Sequence, residues 1–426
     1  MIFKYSLQTF FSKIILMLVG LVSSIIVVKI IGPSGKGFLS VFYALFGICT
    51  SIFILSIGNG IIYYMNKKID TKHIILNSIF FGFCVFVITL SLSIFTKNLV
   101  SDYLNDYSKL LVITIIFFFG LTIFERIFDA LLIGLKRSKQ YNLLQILRQI
   151  LFFSFIYFTY LKYDIDDPKL IILISLFAVF IKIIFTIFYL RIDNLFKNSK
   201  ISYFYLNKIV KYSLKAHIGV VVQKLNSKFD IIIVGLILPL DQLGYYSIAL
   251  LFSEFIWIVP DSVGTFLFPI LSEGNNKKLK ALTTSKINRI IIPFIILGTV
   301  FILFFSNFLI PFFYGTEFVN SLLPLLILSI GSVFFAVSKI LTKYFSGIGQ
   351  PIINSNGALY AFIINSILTY FLTIEFGLVG AAISSSFAYF LMMLYYLKLF
   401  FKMNPDLKFS NVFIFSKSDF ENLNLF

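Results

Sequence analysis

The chain has 426 residues, of which 59% are hydrophobic and 13% charged, and a formal net charge of +17. Soluble domains carry about 25% charged residues, so this composition excludes a soluble globular protein and specifies an integral membrane protein. Two cysteines, Cys49 and Cys84, and two histidines, His73 and His217, show no disulfide or metal-ligand spacing; the cysteines lie in apolar runs, where buried packing is expected.

About 20 apolar residues are needed to cross the hydrocarbon core as a helix. Twelve such spans are predicted, at residues 10–31, 38–64, 73–96, 109–135, 143–161, 169–190, 206–238, 245–271, 288–314, 319–346, 352–374 and 377–401. The first is longer than the apolar core of a signal peptide, about 7–15 residues, and leads into Gly32-Pro33-Ser34-Gly35-Lys36-Gly37 rather than a small-residue cleavage site. It is therefore read as a membrane helix. Short loops join the spans, so no extramembrane domain is expected. No GxxxxGK[ST] phosphate loop is present, which leaves no visible nucleotide-driven motor.

Span four carries charges in its apolar middle, Glu125, Arg126 and Asp129. Ionisable groups at that depth cost a few kcal/mol even on lenient scales, so they face other helices or water. The spacings i,i+4 and i,i+3 place the three on adjoining parts of one helix surface. They read either as an internal ion pair between helices or as the wall of a polar cavity. Arg148 in span five and Lys182 in span six add deep cations, while Lys13 and Lys29 in span one are near enough to the ends to snorkel. In span seven, Leu214, Ile218, Val221, Val222, Leu225 and Phe229 share an arc of about 100°, and Lys224, Lys228 and Asp230 lie outside it. That helix lines an aqueous cavity or lies at the interface; the direct run of Asp230 into Ile231-Ile232-Ile233 favours the cavity. Lys339 and Lys343 add two cations one turn apart in span ten.

The loops alternate in charge. Lys67, Lys68 and Lys72 follow span two, Lys136, Arg137 and Lys139 span four, Arg191, Lys197 and Lys200 span six, Lys277, Lys278, Lys280 and Lys286 span eight, and Lys398, Lys402 and Lys408 span twelve. The intervening loops hold Asp102, Asp106, Asp164, Asp166, Asp167, Asp241, Glu317 and Glu375. The positive-inside rule then puts both termini in the cytoplasm. The excess positive charge is explained by a solvated face near anionic headgroups, and no nucleic-acid partner is expected.

Two stretches repeat. Gly37-Phe38-Leu39-Ser40 matches Gly244-Tyr245-Tyr246-Ser247, 207 positions on, and the stretch from Asp129 resembles that from Thr342, 213 positions on. At the second offset Arg126 corresponds to Lys339. Two parallel six-helix lobes, residues 1–200 and 201–426, are expected. The fold class is thus an all-α polytopic membrane protein of about twelve transmembrane helices in two pseudo-symmetric bundles. That layout suits alternating access, and the mainly cationic interior suits an anionic substrate such as a phosphate.

Lys29-Ile30-Ile31-Gly32-Pro33, the span-seven Asp230, Gly244-Tyr245 opening span eight and Pro269 to Ser272 closing it resemble the polysaccharide flippases of the multidrug/oligosaccharidyl-lipid/polysaccharide exporter superfamily. The resemblance covers nearly the whole chain. It implies translocation of undecaprenyl-pyrophosphate-linked oligosaccharides, for O-antigen, capsule or related glycans, across the bacterial cytoplasmic membrane. It implies transport rather than catalysis, no cofactor, and coupling to a proton or sodium ion. It also implies membrane lipids, a glycan polymerase and a chain-length regulator as partners. Arg126, Arg148, Lys182, Lys224, Lys228, Lys339 and Lys343 are the candidate substrate contacts; Glu125, Asp129 and Asp230 are the candidates for charge balance or ion coupling. No metal site is expected. The alternatives are a multidrug antiporter of the same fold, and a membrane glycan polymerase or ligase. The latter class usually has a long outer loop, and every predicted outer loop here is short. Peptidoglycan-precursor flippases usually have fourteen helices against the twelve predicted.

Overall fold

A computed structural model describes residues 2–66, 71–101, 108–162, 167–190, 200–272 and 276–414. The loop charges Lys67, Lys68, Asp102, Asp106, Asp164, Asp166, Arg191 and Lys197 lie outside the described residues, as do the side chains of Lys13, Pro269 and Ser272. Hydrocarbon offers no water to pair with backbone N–H and C=O groups, so a spanning chain must satisfy them internally. Among the described residues the regular structure is accordingly helical throughout, with thirteen α-helices and two short 3₁₀ turns.

All twelve predicted spans fall on helices. Helix α1 (Ile2–Phe53) carries the first span and most of the second, and breaks at Gly32, whose φ of 64° is open to glycine, just before Pro33. Helix α2 (Ile57–Asn66) completes the second span after a step at Leu55 and Ser56, both at positive φ. Then follow α3 (Thr71–Ser101), α4 (Ser108–Gly134), α5 (Ser138–Lys162), α6 (Pro168–Leu190) and α7 (Tyr203–Ile237). Span eight is built from α8 (Leu240–Glu254), a 3₁₀ turn (Phe255–Trp257) and α9 (Ile258–Ser272). Helix α10 (Lys277–Tyr314), the 3₁₀ turn Thr316–Ser321, α11 (Leu322–Gly347), α12 (Ile352–Met403) and the short α13 (Phe409–Phe413) complete the chain. Helix α12 carries two predicted spans and breaks between them at Gly377, φ 58°. A Cβ on Gly380 would overlap the carbonyl oxygen of Leu372. Residues eight apart lie about 12 Å apart along a straight helix, so α12 folds back on itself at this break.

Among the described residues, eight stretches are long and apolar enough to cross a membrane. Two of them, in α1 and α12, each hold two predicted spans. The remaining two spans fall on α4 and α7. The surface agrees: Leu236, Phe304 and Phe188 are among the most exposed apolar side chains, while Asn226 and Asp230 are buried. Along α7, Leu214 and Ile218 of the apolar arc face outward, as expected where the surrounding solvent is lipid. Cys49 is exposed on α1, not buried as its apolar surroundings suggested, and Cys84 is partly exposed; an apolar thiol has no reason to avoid lipid. The chain is an all-α, multi-pass membrane protein.

Contacts divide the chain into two units, residues 1–32 with 45–221 and residues 33–44 with 222–426. The first has a core of Ile57, Ile61, Ile74, Ile123, Ile127 and Leu131, all fully buried. The second is centred on Ile340, Leu341, Tyr344, Phe345, Tyr396 and Phe400.

Within the second unit, the start of the second span crosses the start of α8. A Cβ on Gly37 would overlap the carbonyl oxygen of Leu240, and one on Gly244 would overlap that of Pro33. Gly37 and Gly244 are 207 positions apart, and so are Pro33 and Leu240. The crossing is therefore reciprocal at the offset of the first sequence repeat, each glycine seating the backbone of the other stretch. Backbone cannot yield as a flexible side chain can. Gly37→Ala and Gly244→Ala are each expected to destabilise by about 1–3 kcal/mol, the range for overpacking. Gly298→Ala, whose Cβ meets nothing within 4 Å among the described residues, is expected to be neutral or stabilising. Thermal unfolding of the purified variants in detergent checks this.

Candidate functional site

Both units bury ionisable groups, but they arrange them differently. In the first unit, α4 presents Glu125 and Asp129 one turn apart on its inner face. Lys182 of α6 reaches between them, its Nζ 2.7 Å from Glu125 Oε1 and 2.9 and 3.0 Å from the two oxygens of Asp129. Arg148 of α5 donates to Glu125 Oε1 at 3.2 Å, and Gln145, one turn earlier, donates to Asp129 Oδ2 at 2.8 Å. Two carboxylates thus meet two cations. The Lys182 side chain is 1% exposed, and every direction it offers is filled by a carboxylate or the protein. Arg126 is exposed and points away from this pair: a step of one residue turns it about 100° around α4.

Removing one partner of a buried ion pair leaves an uncompensated charge and costs about 3–5 kcal/mol. Lys182→Met is therefore expected to lower the unfolding midpoint sharply, and adding Glu125→Gln and Asp129→Asn is expected to recover most of the loss. Unfolding of the single and triple variants in one detergent measures both.

The second unit holds a longer row. Glu254, Trp257 and Asp261 stand at i, i+3 and i+7 and share one face of span eight; Phe335, Lys339 and Lys343 stand at i, i+4 and i+8 on one face of α11. Lys339 Nζ is 2.7 Å from Asp261 Oδ2 and lies over the rings of Trp257, at 4.9 Å, and Phe335, at 5.1 Å. Cation–π attraction of this kind is worth about 0.5–2 kcal/mol. Lys343 continues the row one turn on, its Cε 2.8 Å from where a side chain on Gly264 would start. At the other end, Lys228 of α7 pairs with Glu254 at 3.4 Å, and Lys36 feels the charge of both. Lys224, half-buried, lies one turn before Lys228. Four lysines, Lys36, Lys228, Lys339 and Lys343, thus accompany two carboxylates.

The pairs in this row are more open than the Lys182–Glu125 pair of the first unit, whose side chains are 1% and 9% exposed. The Asp261 side chain is 47% exposed and that of Glu254 34%. A carboxylate at membrane depth does not face lipid, so both look into polar, water-accessible space. Pairs that remain solvated contribute about 0–1 kcal/mol.

Deeper in the same unit, Asp230 is buried among oxygen atoms. Tyr246 Oη donates to its Oδ2 at 3.0 Å and Ser385 Oγ lies 3.5 Å away; Ser385 also reaches Asn365 Oδ1 at 3.4 Å, which accepts from Thr369 at 3.1 Å. Asp230 Oδ1 has no hydrogen-bond partner among the described residues. Oxygen donors around one carboxylate suit a hard cation or a proton.

Of the residues singled out by sequence, the structure brings together Glu125, Asp129, Arg148 and Lys182 in the first unit, and Lys228, Lys339 and Lys343 in one row of the second. Asp230 occupies its own pocket, and Arg126 stands apart from both clusters. Sequence reasoning passed over Lys36, Glu254, Trp257 and Asp261. The helical spacing of Glu254, Trp257 and Asp261 was the available signal; the 3₁₀ turn between α8 and α9 obscured it. Among the described residues no group of three or more His, Cys, Asp and Glu is placed to hold a metal.

Comparison with known proteins adds three findings. Residues 3–275 match the family model described as polysaccharide biosynthesis protein. A relative from Haloferax volcanii, described as a probable low-salt glycan biosynthesis flippase, is 26% identical over 197 residues, which cover 46% of this chain and 40% of that protein. The chain thus spans less than half the length of that relative. Among solved structures, lipid II flippase MurJ in an inward closed conformation superimposes with a TM-score of 0.73 at 17% identity, covering 99% of this chain and 90% of MurJ. An inward-facing multidrug resistance MATE family transporter of the MOP superfamily gives 0.71 at 14% identity, covering 92% and 96%. These likenesses show a shared fold.

Proposed function

Because the chain belongs to the polysaccharide biosynthesis protein family, we propose that it is a flippase moving undecaprenyl-pyrophosphate-linked oligosaccharide units across the cytoplasmic membrane by alternating access. The O-antigen, capsule and related glycans are the candidate products, and both termini lie in the cytoplasm. A glycan polymerase and a chain-length regulator are the candidate partners, and the two six-helix lobes, residues 1–200 and 201–426, are the moving parts. The observation that carries the reading is the lysine row of the second unit, a net positive, solvent-open strip on helices whose other faces pack into the apolar core. A diphosphate carries its charge into the membrane only if such groups replace its water.

Lys228, Lys339 and Lys343 are the foremost contacts in this reading, with Lys36 and Lys224 beside them. Arg126 and Arg148 stand ready for acidic sugars, and Lys182 serves by keeping the first unit's helices in register. Asp230 is the preferred coupling site, since its pocket of oxygen atoms suits a sodium ion or a proton; Glu125 and Asp129 balance charge.

A charge-assisted hydrogen bond contributes about 1.5–3 kcal/mol. Lys339→Gln and Lys228→Gln are therefore each expected to slow lipid-linked glycan flipping in proteoliposomes by about tenfold or more. Asp230→Asn is expected to abolish dependence on a sodium or proton gradient. Wild-type flipping rates in the two lysine variants and their double would overturn the assignment. Drug resistance on expression, without glycan movement, would favour the antiporter instead.

A further inference from the structure

The lysine row is occupied by the protein's own carboxylates, and the manner of occupation differs from the first unit. Lys182 is held by two acids at 2.7–3.0 Å and is itself 1% exposed, with Glu125 at 9% and Asp129 at 19%. Lys339 is held by one acid, and Asp261 is the more exposed member of the pair, 47% against 20%. Lys228 and Glu254 sit at a looser 3.4 Å and are similarly exposed, 30% and 34%. In each case the acid can turn toward water while the lysine stays anchored: Lys339 by the Trp257 and Phe335 rings, Lys228 by its place on α7 two residues from buried Asp230. A carboxylate and a phosphate oxygen make the same bond to an ammonium group.

We propose that Asp261 and Glu254 are displaceable stand-ins for the substrate's phosphates. Each holds its lysine's charge while no substrate is bound, yields the ammonium to a phosphate oxygen on binding, and reclaims it on release. The proposal rests on the lysine row being the diphosphate site. It goes further in giving the acids a role opposite to the usual one: they weaken binding and hasten release. Conduction through a polar path requires sites favourable enough to enter and weak enough to leave, and an internal competitor supplies the second condition without removing the cations.

Trp257 is the only tryptophan in the chain, and the Lys339 ammonium lies 4.9 Å from its ring. Its fluorescence therefore reports occupation of this site directly. The experiment is a titration of the purified full-length protein, in detergent, with farnesyl diphosphate, and with farnesol as the uncharged control. Asp261→Asn is expected to tighten the diphosphate Kd at least fivefold and leave farnesol unchanged. The same variant is expected to lower the maximal flipping rate in proteoliposomes, since release is slowed. Asp261→Glu retains the charge and is expected to stay within twofold of wild type. Glu254→Gln repeats the test at the second pair, should Asp261→Asn prove unstable. If Lys339→Gln weakens binding but Asp261→Asn and Glu254→Gln do not tighten it, the stand-in role is wrong and the diphosphate site survives. If Lys339→Gln leaves the diphosphate Kd unchanged, or the wild type binds it no better than farnesol, the site assignment falls and the stand-in role with it.

Discussion

A charge in hydrocarbon has to find its counter-charge inside the protein. On insertion scales, an Arg, Lys or Asp at the centre of a spanning helix costs about 2.5–3.5 kcal/mol, and a lysine as buried as Lys182 has no water to lower that cost. Glu125 and Asp129 of α4, Arg148 of α5 and Lys182 of α6 meet this demand with three helices at once. The consequence is geometric as much as energetic. Sliding α4 one turn against α6 would carry Glu125 and Asp129 past Lys182, so the cluster sets the register of α4, α5 and α6 in a unit whose remaining contacts are largely interchangeable branched aliphatics.

The second unit meets the same demand incompletely. Its lysine row has fewer acids than cations, and its pairs remain open to water. The unbalanced charge costs stability wherever it is desolvated, so its persistence points to use. Real proteins place such local conflicts at functional sites and compensate elsewhere. Here the compensation is an extensive aromatic and aliphatic core around Tyr344, Phe345 and Phe400, and the close crossing at Gly37 and Gly244. That crossing brings residues 33–44 into the second unit although they precede it by nearly 200 positions.

Asp230 adds a third arrangement, a single buried carboxylate among neutral oxygen groups. In the proposed reading these arrangements answer different needs: fixed register, exchange with an anion, and uptake of a small cation. The proposed transport cycle draws on all three, with the lysine row meeting the diphosphate and Asp230 the coupling ion.

Much of this was legible in the chain itself. The apolar runs determined the helices and the membrane, because in lipid a long apolar segment has one backbone solution. The repeat at 207 positions marked two glycines whose reciprocal contact the structure then displayed, since only a residue without a side chain tolerates backbone against backbone. Mid-helix charge marked α4 and α7 as helices that must bury ionisable groups, and both do. What the sequence could not determine was which charges meet. Lys182 and Glu125 are 57 positions apart, Lys339 and Asp261 78, and spacing along a helix says nothing about partners on another. Lys182 reads as a deep cation in the sequence, and only the packing of α6 shows that it lies between two carboxylates. Asp261 and Glu254 were passed over until α11 and α7 brought lysines to them. Pairing of ions is decided by helix packing, which depends on the whole set of facing surfaces, and only the tertiary structure specifies it.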